Sequence, residues 1–197
     1  MIFDRPQHSF KLLTALLYAI SKTEILTVFD IGGSLGSTFY QHRKFFESNI
    51  RVWNIIEQKK FVTKGNRDYS SDLLRFEDAL PDTIDKESSF FLLSSTLQYL
   101  ENPYDYLENI SDLKPKFIFI DKTPFSTDNN DYLTIQHVNE PIYNATYPAW
   151  HFSERKLLIS LQNYEPYFTF NTYESVINDC RNFTSTFKGF FLKRVGT

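Results

Sequence analysis

The stretch Leu26-Thr-Val-Phe-Asp-Ile-Gly-Gly-Ser-Leu-Gly36 constrains the fold more than any other part of the chain. Leu26, Val28 and Phe29 form a short apolar run suited to a buried strand. The run breaks at Asp30 into a loop that holds three of the chain's six glycines. A helical pattern follows, with Phe39, Phe45 and Phe46 on one side and Gln41, His42, Arg43 and Lys44 interspersed. A strand, a glycine turn and a helix in that order begin a nucleotide-binding βαβ unit.

The rest of the chain reads as a continuation of that unit. Residues 51–56 (Arg-Val-Trp-Asn-Ile-Ile) form a second strand closed by Glu57, and residues 58–67 a short basic helix. Residues 73–76 are a weak third strand before the turn Glu77-Asp78-Ala79-Leu80-Pro81. Residues 90–93 (Phe-Phe-Leu-Leu) are apolar throughout, as in a strand covered on both faces. They run into Ser94-Ser-Thr-Leu-Gln-Tyr-Leu100, at the strand end where open α/β sheets bind ligands. Pro103 opens another helix, and residues 117–120 form a fifth strand ending at Asp121. From residue 122 to 148 the pattern loosens, with three prolines and one possible strand at 133–138. Ser153 caps a helix over 156–161, and strands follow at 167–173 and 189–195. With no repeat or low-complexity linker, residues 1–197 read as one domain. Residues 1–24 are its helical lead-in and 122–152 an irregular insertion on the substrate side.

Composition excludes several classes. A net charge of -3 and the absence of long basic runs argue against a nucleic-acid or anionic-membrane surface. The single cysteine, Cys180, cannot form an internal disulfide, so a reducing, cytoplasmic location is expected. The apolar run at 12–20 resembles an export leader, but Asp4 interrupts the basic region. The spacing of Phe10, Leu13, Leu17 and Ile20 behind Ser9 instead predicts a capped, packed helix. No segment approaches the roughly 20 apolar residues of a membrane span. Aromatic residues reach 17%, and Phe is expected to fill core positions that other chains give to Leu or Ala.

The loop discriminates between cofactors. In a dinucleotide fingerprint starting at Gly32, the second and third glycines would fall at Ser34 and Ser37, and no Gly-Lys-Ser/Thr supplies a Walker loop. Asp30, two residues before the first glycine, would repel a phosphate and suit an ammonium. S-adenosylmethionine carries an ammonium and a sulfonium and no phosphate. Glu57, closing the second strand, is placed to accept hydrogen bonds from ribose hydroxyls.

These segments resemble class I S-adenosylmethionine-dependent methyltransferases. More narrowly, the chain is similar over residues 25–195 to a group of short methyltransferases associated with bacterial surface-polysaccharide genes. That likeness is carried by Phe29-Asp-Ile-Gly-Gly-Ser-Leu-Gly36, Trp53-Asn-Ile-Ile-Glu-Gln58, Leu93-Ser-Ser-Thr-Leu-Gln-Tyr-Leu100, Asp121-Lys-Thr-Pro-Phe125 and Tyr143-Asn-Ala-Thr-Tyr-Pro-Ala-Trp150. The resemblance implies a Rossmann-like α/β fold: a mostly parallel seven-stranded sheet with an antiparallel C-terminal strand and helices on both faces. It implies S-adenosyl-L-methionine as cofactor, with Asp30, Gly32, Gly33, Ser34 and Gly36 at the methionine part and Glu57 with Gln58 at the ribose. Phe76 and Glu77 would wall the adenine, and Ser94, Ser95 and Leu97 would line the methyl-donor side. Ser34 stands where the family commonly has a glycine, and its hydroxyl can still donate to the methionyl carboxylate.

Methyl transfer from a sulfonium is an in-line displacement. Positioning can supply roughly 7 to 11 kcal/mol, whereas a general base adds about a hundredfold to ten-thousandfold. Among four histidines, His8 reads as exposed and His42 as lying on a helix facing either cofactor or solvent. His151, among aromatics of the kind that form a sugar platform, is the first candidate base and His137 the second, with Asp121 orienting an acceptor hydroxyl. Thr123, Tyr143, Tyr147 and Trp150 are candidate acceptor contacts. No Asn/Asp-Pro-Pro-Tyr or Pro-Cys motif points to nucleic acid, and no cluster has metal-ligand spacing. A hydroxyl of a sugar, sugar nucleotide or other small-molecule or glycan acceptor is the expected target. The rival is a non-catalytic module that binds the cofactor or a sugar nucleotide.

Overall fold

The computed structural model describes residues 7–138, 140, 144–172 and 183–196, together with the backbone of 177–180. The main sheet contains β1 (Leu26–Ile31), β2 (Ile50–Ile56), β3 (Leu74–Glu77), β4 (Ser89–Ser94), β5 (Phe117–Ser126), β8 (Tyr164–Asn171), β9 (Ile177–Cys180) and β10 (Phe183–Arg194). A separate hairpin pairs β6 (Tyr132–Val138) with β7 (Ala145–His151). The helices are α1 (Phe10–Thr23), α2 (Ser37–His42), α3 (Lys59–Asp68), α4 (Pro103–Leu113) and α5 (Glu154–Ser160).

The strand order is β3-β2-β1-β4-β5-β10-β8, with β9 pairing β10 off this path. The first five strands run parallel, and β10 lies antiparallel between β5 and β8. This is the expected Rossmann-like α/β sheet. No described helix is long and apolar enough to cross a membrane.

Strand periodicity explains how the sheet buries both faces. Val28, Phe90, Leu92, Phe117 and Phe119 pack with α1 and with Phe39 and Trp53 on one face. Phe29, Phe91, Leu93, Ile118 and Ile120 pack with α4 and α5 on the other. Phenylalanine supplies much of this core: the Phe117 and Phe191 rings lie 5.5 Å apart, and Phe90 lies 6.0 Å from Phe191. Each fully buried Phe contributes about 1.5–3 kcal/mol through removal from water.

Three local expectations are corrected. Ser9 caps α1 through the Leu12 amide, as its position suggests, but the buried stripe is Leu12, Leu13, Ala15, Leu16 and Ala19, while Phe10 and Leu17 are exposed. The helix after the glycine loop ends at His42 and tightens into single 3₁₀ turns, because Phe39, His42 and Phe46 share one buried face and Phe45 falls off it. The described residues of the stretch 122–152 are largely strand rather than irregular. β5 continues to Ser126 by pairing with β10, and the hairpin follows. Pro124 is tolerated because β4 ends at Ser94, opposite Asp121, and the bridge to Phe152 that follows on that edge uses the Pro124 carbonyl and the Ser126 amide, so no amide is needed at Pro124.

Candidate functional site

The site begins where β1 leaves the sheet. The Gly32 amide still donates to the Ile56 carbonyl at 2.9 Å, and the backbone then turns at φ 73°. Thr96 closes this turn from β4's side, its hydroxyl donating to the Ile31 carbonyl at 2.8 Å. A Cβ on Gly32 would stand 2.4 Å from that hydroxyl oxygen, so both conformation and space demand glycine.

Asp30 lies beneath the loop. It is 2% exposed, and its Oδ2 accepts a hydrogen bond from the Trp53 indole at 3.1 Å. A Cβ on Gly33 would come within 2.7 Å of the carboxyl carbon, so the loop backbone rests directly on the acid. Burial pushes the Asp30 pKa up to about 7, the indole hydrogen bond opposes the rise, and the charge of Glu57 adds to it. Asp30 is therefore a buried support for the loop rather than part of the open wall.

Glu57 ties the loop to the next strand. One carboxylate oxygen accepts from the Ser34 amide at 3.2 Å and the other from the Gln58 amide at 2.8 Å. Outside this clasp is a cleft of about 430 Å³ bordered by Gly32, Glu57, Gln58, Ser95 and Thr96, and also by Asp78, Tyr99 and Tyr106. Among the described residues lining it, the charged side chains are Glu57 and Asp78, both acidic.

Phe76 and Glu77, expected at the adenine, do not line this cleft. β3 alternates, so Phe76 is buried under α3 and Glu77 is exposed, bordering a different hollow with Phe29 and Leu80. Asp78 reaches the cleft instead. Of the segment after β4, Ser95 lines the cleft at φ 58° and Ser94 is half-buried, but Leu97 is a core side chain. Thr96, within the segment expected to line this side, borders the cleft, and so do Asp78 and Tyr99, which the sequence did not single out. Strand parity after β3 was the available signal for Asp78.

The expected catalytic residues do not converge on the cleft. His151 is 6% exposed, with Nδ1 bonded to the Ser185 hydroxyl at 2.8 Å and its ring edge-on to Phe183, and burial lowers its pKa. His137 is exposed on the hairpin, bonded to Thr146 at 3.1 Å. Asp121 is buried, its Oδ1 accepting from the Lys122 amide and the Thr172 hydroxyl at 2.8 Å each. Thr123 is fully buried and donates to the Asp121 carbonyl. None of these four residues lines the cleft.

Tyr143 lies outside the described residues. Tyr147 and Trp150 do approach the site, because they pin the hairpin to its rim. Tyr147 meets Tyr99 edge-to-face at 5.3 Å, and the Trp150 indole donates to the Leu100 carbonyl at 3.2 Å.

His8 and His42 also differ from expectation. His42 is buried, its Nε2 accepting from the Ser9 amide and its Nδ1 donating to the Thr38 carbonyl, each at 2.8 Å. That arrangement holds a neutral ring and joins the start of α1 to α2. His8 is half-buried, edge-on to His42 at 5.3 Å and to Phe45 at 5.2 Å.

No family model matches this sequence, and no curated protein matches it. Solved structures do share its architecture. The chain is similar to an S-adenosylmethionine-dependent methyltransferase from Clostridium acetobutylicum at 10% identity and TM-score 0.57, over 96% of this chain and 93% of that one. It is similar to the N-terminal domain of EvdMO1 with SAH bound, at 10% identity and TM-score 0.57, over 92% of this chain and 79% of that one. It is also similar to the glycopeptide N-methyltransferase MtfA complexed with S-adenosyl-L-methionine, at 8% identity and TM-score 0.57, over 92% of both chains. At such identities the likeness establishes a shared fold.

Proposed function

We propose that this protein binds S-adenosylmethionine and transfers its methyl group to an acceptor hydroxyl, with a saccharide or sugar nucleotide as the acceptor class. The observation that carries the reading is the charge of the cleft. Its charged walls are Glu57 and Asp78, with no Lys or Arg among the described lining residues, at the carboxyl edge of a Rossmann-like sheet. A pyrophosphate would meet only repulsion there, whereas an ammonium, a sulfonium and a neutral nucleoside fit.

In this reading the loop at Gly32 to Gly36 receives the methionine part, Glu57 and Gln58 the ribose, and Asp78 the exocyclic amine of the adenine. Ser95 and Thr96 face the methyl-donor side, and Tyr99 with Tyr147 narrows the mouth. Bound cofactor supplies an electrophilic methyl whose sulfonium charge disappears on transfer. The chain's part is to hold the acceptor in line, the larger contribution to such a step. The aromatic rim and the resemblance of the sequence favour a saccharide.

A binding module without turnover is the second reading. It is favoured by the absence of histidine among the described residues lining the cleft. The separating experiment has two stages: titration calorimetry with S-adenosylhomocysteine, then mass spectrometry for a +14 product from pooled sugar nucleotides and glycans. Binding with product supports transfer, and binding without product supports the module. Absence of binding sinks both cofactor readings.

A further inference from the structure

The hairpin pinned to the cleft rim carries no formal charge. β6 reads Tyr-Leu-Thr-Ile-Gln-His-Val and β7 reads Ala-Thr-Tyr-Pro-Ala-Trp-His, with no Lys, Arg, Asp or Glu in either. Such residues make up 23% of the whole chain, so two seven-residue strands without one depart from the rest of the sequence. β6 is also open along one edge: among the described residues its ladder partner is β7 alone. Exposed strands with an open edge are ordinarily guarded by charge.

Strand alternation gives the hairpin two faces. Tyr132 stacks on Phe183 at 4.0 Å, and Gln136 accepts from the Tyr99 hydroxyl at 3.3 Å, so one face turns to the body of the protein. Leu133 and Ile135 lie on the other, 56% and 59% exposed. Register sets them opposite Trp150 and Pro148, which share that outer face. The four side chains make an apolar strip about 7 Å along β6 and about 5 Å across to β7.

The strip leads into the site. Trp150 is half-buried, its indole donating to the Leu100 carbonyl at 3.2 Å, and Leu100 and Tyr106 line the cleft. Leu100, Tyr106 and Trp150 pack against one core cluster. Apolar side chains therefore run from Ile135 over Leu133 and Trp150 to the cleft wall.

Size and surroundings narrow what covers the strip. Four side chains are far fewer than the roughly 20–30 residues a side of a stable protein interface. Asp128 and Glu140, exposed before and after β6, and Glu101 next to Leu100 would repel an anionic lipid surface. A single alkyl chain matches the strip, and continuity with the cleft puts the polar end of such a ligand at the site.

We propose that the acceptor is amphiphilic: a glycoside whose hydroxyl-bearing sugar enters the cleft while its alkyl chain lies along Trp150, Leu133, Pro148 and Ile135. The proposal rests on the methyl-transfer reading for calling this ligand the acceptor. The alkyl subsite itself does not depend on that reading.

The test titrates the protein with octyl glucoside, kept below its micelle-forming concentration, and separately with methyl glucoside, following amide and indole N–H shifts with and without saturating S-adenosylhomocysteine. Octyl glucoside should saturate and shift the amides of Leu133, Ile135 and Leu100 and the Trp150 indole, and methyl glucoside should bind at least about tenfold more weakly. Leu133→Ser and Ile135→Ser, each at an exposed position, should each weaken octyl glucoside binding several-fold. Val195→Ser is the control: Val195 is 58% exposed and follows Arg194, whose amide donates to the Lys116 carbonyl just before β5 begins, at the other end of that strand from the hairpin. It should bind as the parent does.

Equal affinity for the two glucosides, octyl glucoside binding unchanged in both serine variants, or shifts on the hairpin that never reach Leu100 would each overturn the proposal. So would a concentration-dependent dimer in sedimentation velocity that both serine variants abolish, which assigns the strip to a second copy. Co-sedimentation with phosphatidylcholine vesicles that both variants lose assigns it to a lipid surface and overturns the proposal as well. If S-adenosylhomocysteine does not bind, the methyl-transfer reading falls, while the glucoside titration of the free protein still decides the alkyl subsite.

Discussion

Trp53 and Asp30 are joined by an indole-to-carboxylate hydrogen bond of 3.1 Å beneath the backbone of Gly33. The pair links the second strand to the loop that forms one wall of the cleft. It also holds an acid whose pKa is raised by burial from 3.8 to about 7. Between those two values the folded protein binds more protons at this site than the unfolded chain. Stability from this group is therefore greatest in acid and is lost as pH rises toward 7.

Asp30→Asn should remove that pH dependence and stabilise the unliganded protein above pH 7 by on the order of a few kcal/mol. Denaturant unfolding at a series of pH values measures it. S-adenosylhomocysteine carries an ammonium that favours the ionised acid, so its affinity should rise with pH through about 7 in the parent. The affinity of Asp30→Asn should be weaker and lack that rise. A parallel pH profile in both proteins would contradict the assignment.

Gly32→Ala should weaken S-adenosylhomocysteine binding by at least about tenfold, since the new Cβ meets both Thr96 and an unfavourable φ. Thr96→Ala in the same chain should restore part of the loss by removing the clash, but not all of it, because φ stays at 73°. Strictly additive effects in calorimetry would show that Thr96 does not enforce the turn.

His151→Ala should leave the affinity for S-adenosylhomocysteine intact and lower stability by about 1–3 kcal/mol, because the buried Ser185 hydroxyl loses its partner. Thermal unfolding and calorimetry on the same sample separate these effects. Lost binding with an unchanged Tm would return His151 to the site.

His42 has the opposite sign to Asp30. Burial lowers its pKa below 6.5, the Thr38 carbonyl opposes the shift, and His8 and Lys122 reinforce it. Stability from the neutral ring is present above the unfolded value of 6.5 and is lost as pH falls below it. Protonation puts a hydrogen on Nε2, the atom that accepts from the Ser9 amide. The Ser9 amide should therefore lose its exchange protection, corrected for intrinsic rates, as pH falls below about 6.5 and before global unfolding. Continued protection down to acid unfolding would show that His42 does not hold this segment.

The sheet was largely readable in the sequence because its strands announce themselves locally. The unbroken apolar residues 90–93 and 117–120 require cover on both faces, and Glu57 follows its strand at the position a ribose-binding acid takes. What was not readable depends on partners distant along the chain. β5 extends past Asp121 because β10, some 60 residues later, pairs with it; Pro124 disguised a strand position where the bridge to Phe152 needs no amide, and Pro148 one in a two-stranded hairpin. The aromatic neighbours of His151 in the sequence do not reveal Ser185, which bonds its ring, and the helix spacing that left His42 facing cofactor or solvent does not reveal Ser9. Phe76 and Glu77 fall outside the cleft lining for a reason of strand parity: a four-residue strand alternates, and the next residue, Asp78, borders the cleft.

The most direct measurement is titration calorimetry of the purified protein with S-adenosylhomocysteine, run beside NADH and repeated with Glu57→Ala. The expected result is saturable binding of S-adenosylhomocysteine in the micromolar range, loss of that binding in Glu57→Ala with the fold retained by circular dichroism, and no binding of NADH. No heat at tens of micromolar S-adenosylhomocysteine, or tighter binding of NADH, would contradict a cleft built for a cationic, phosphate-free cofactor.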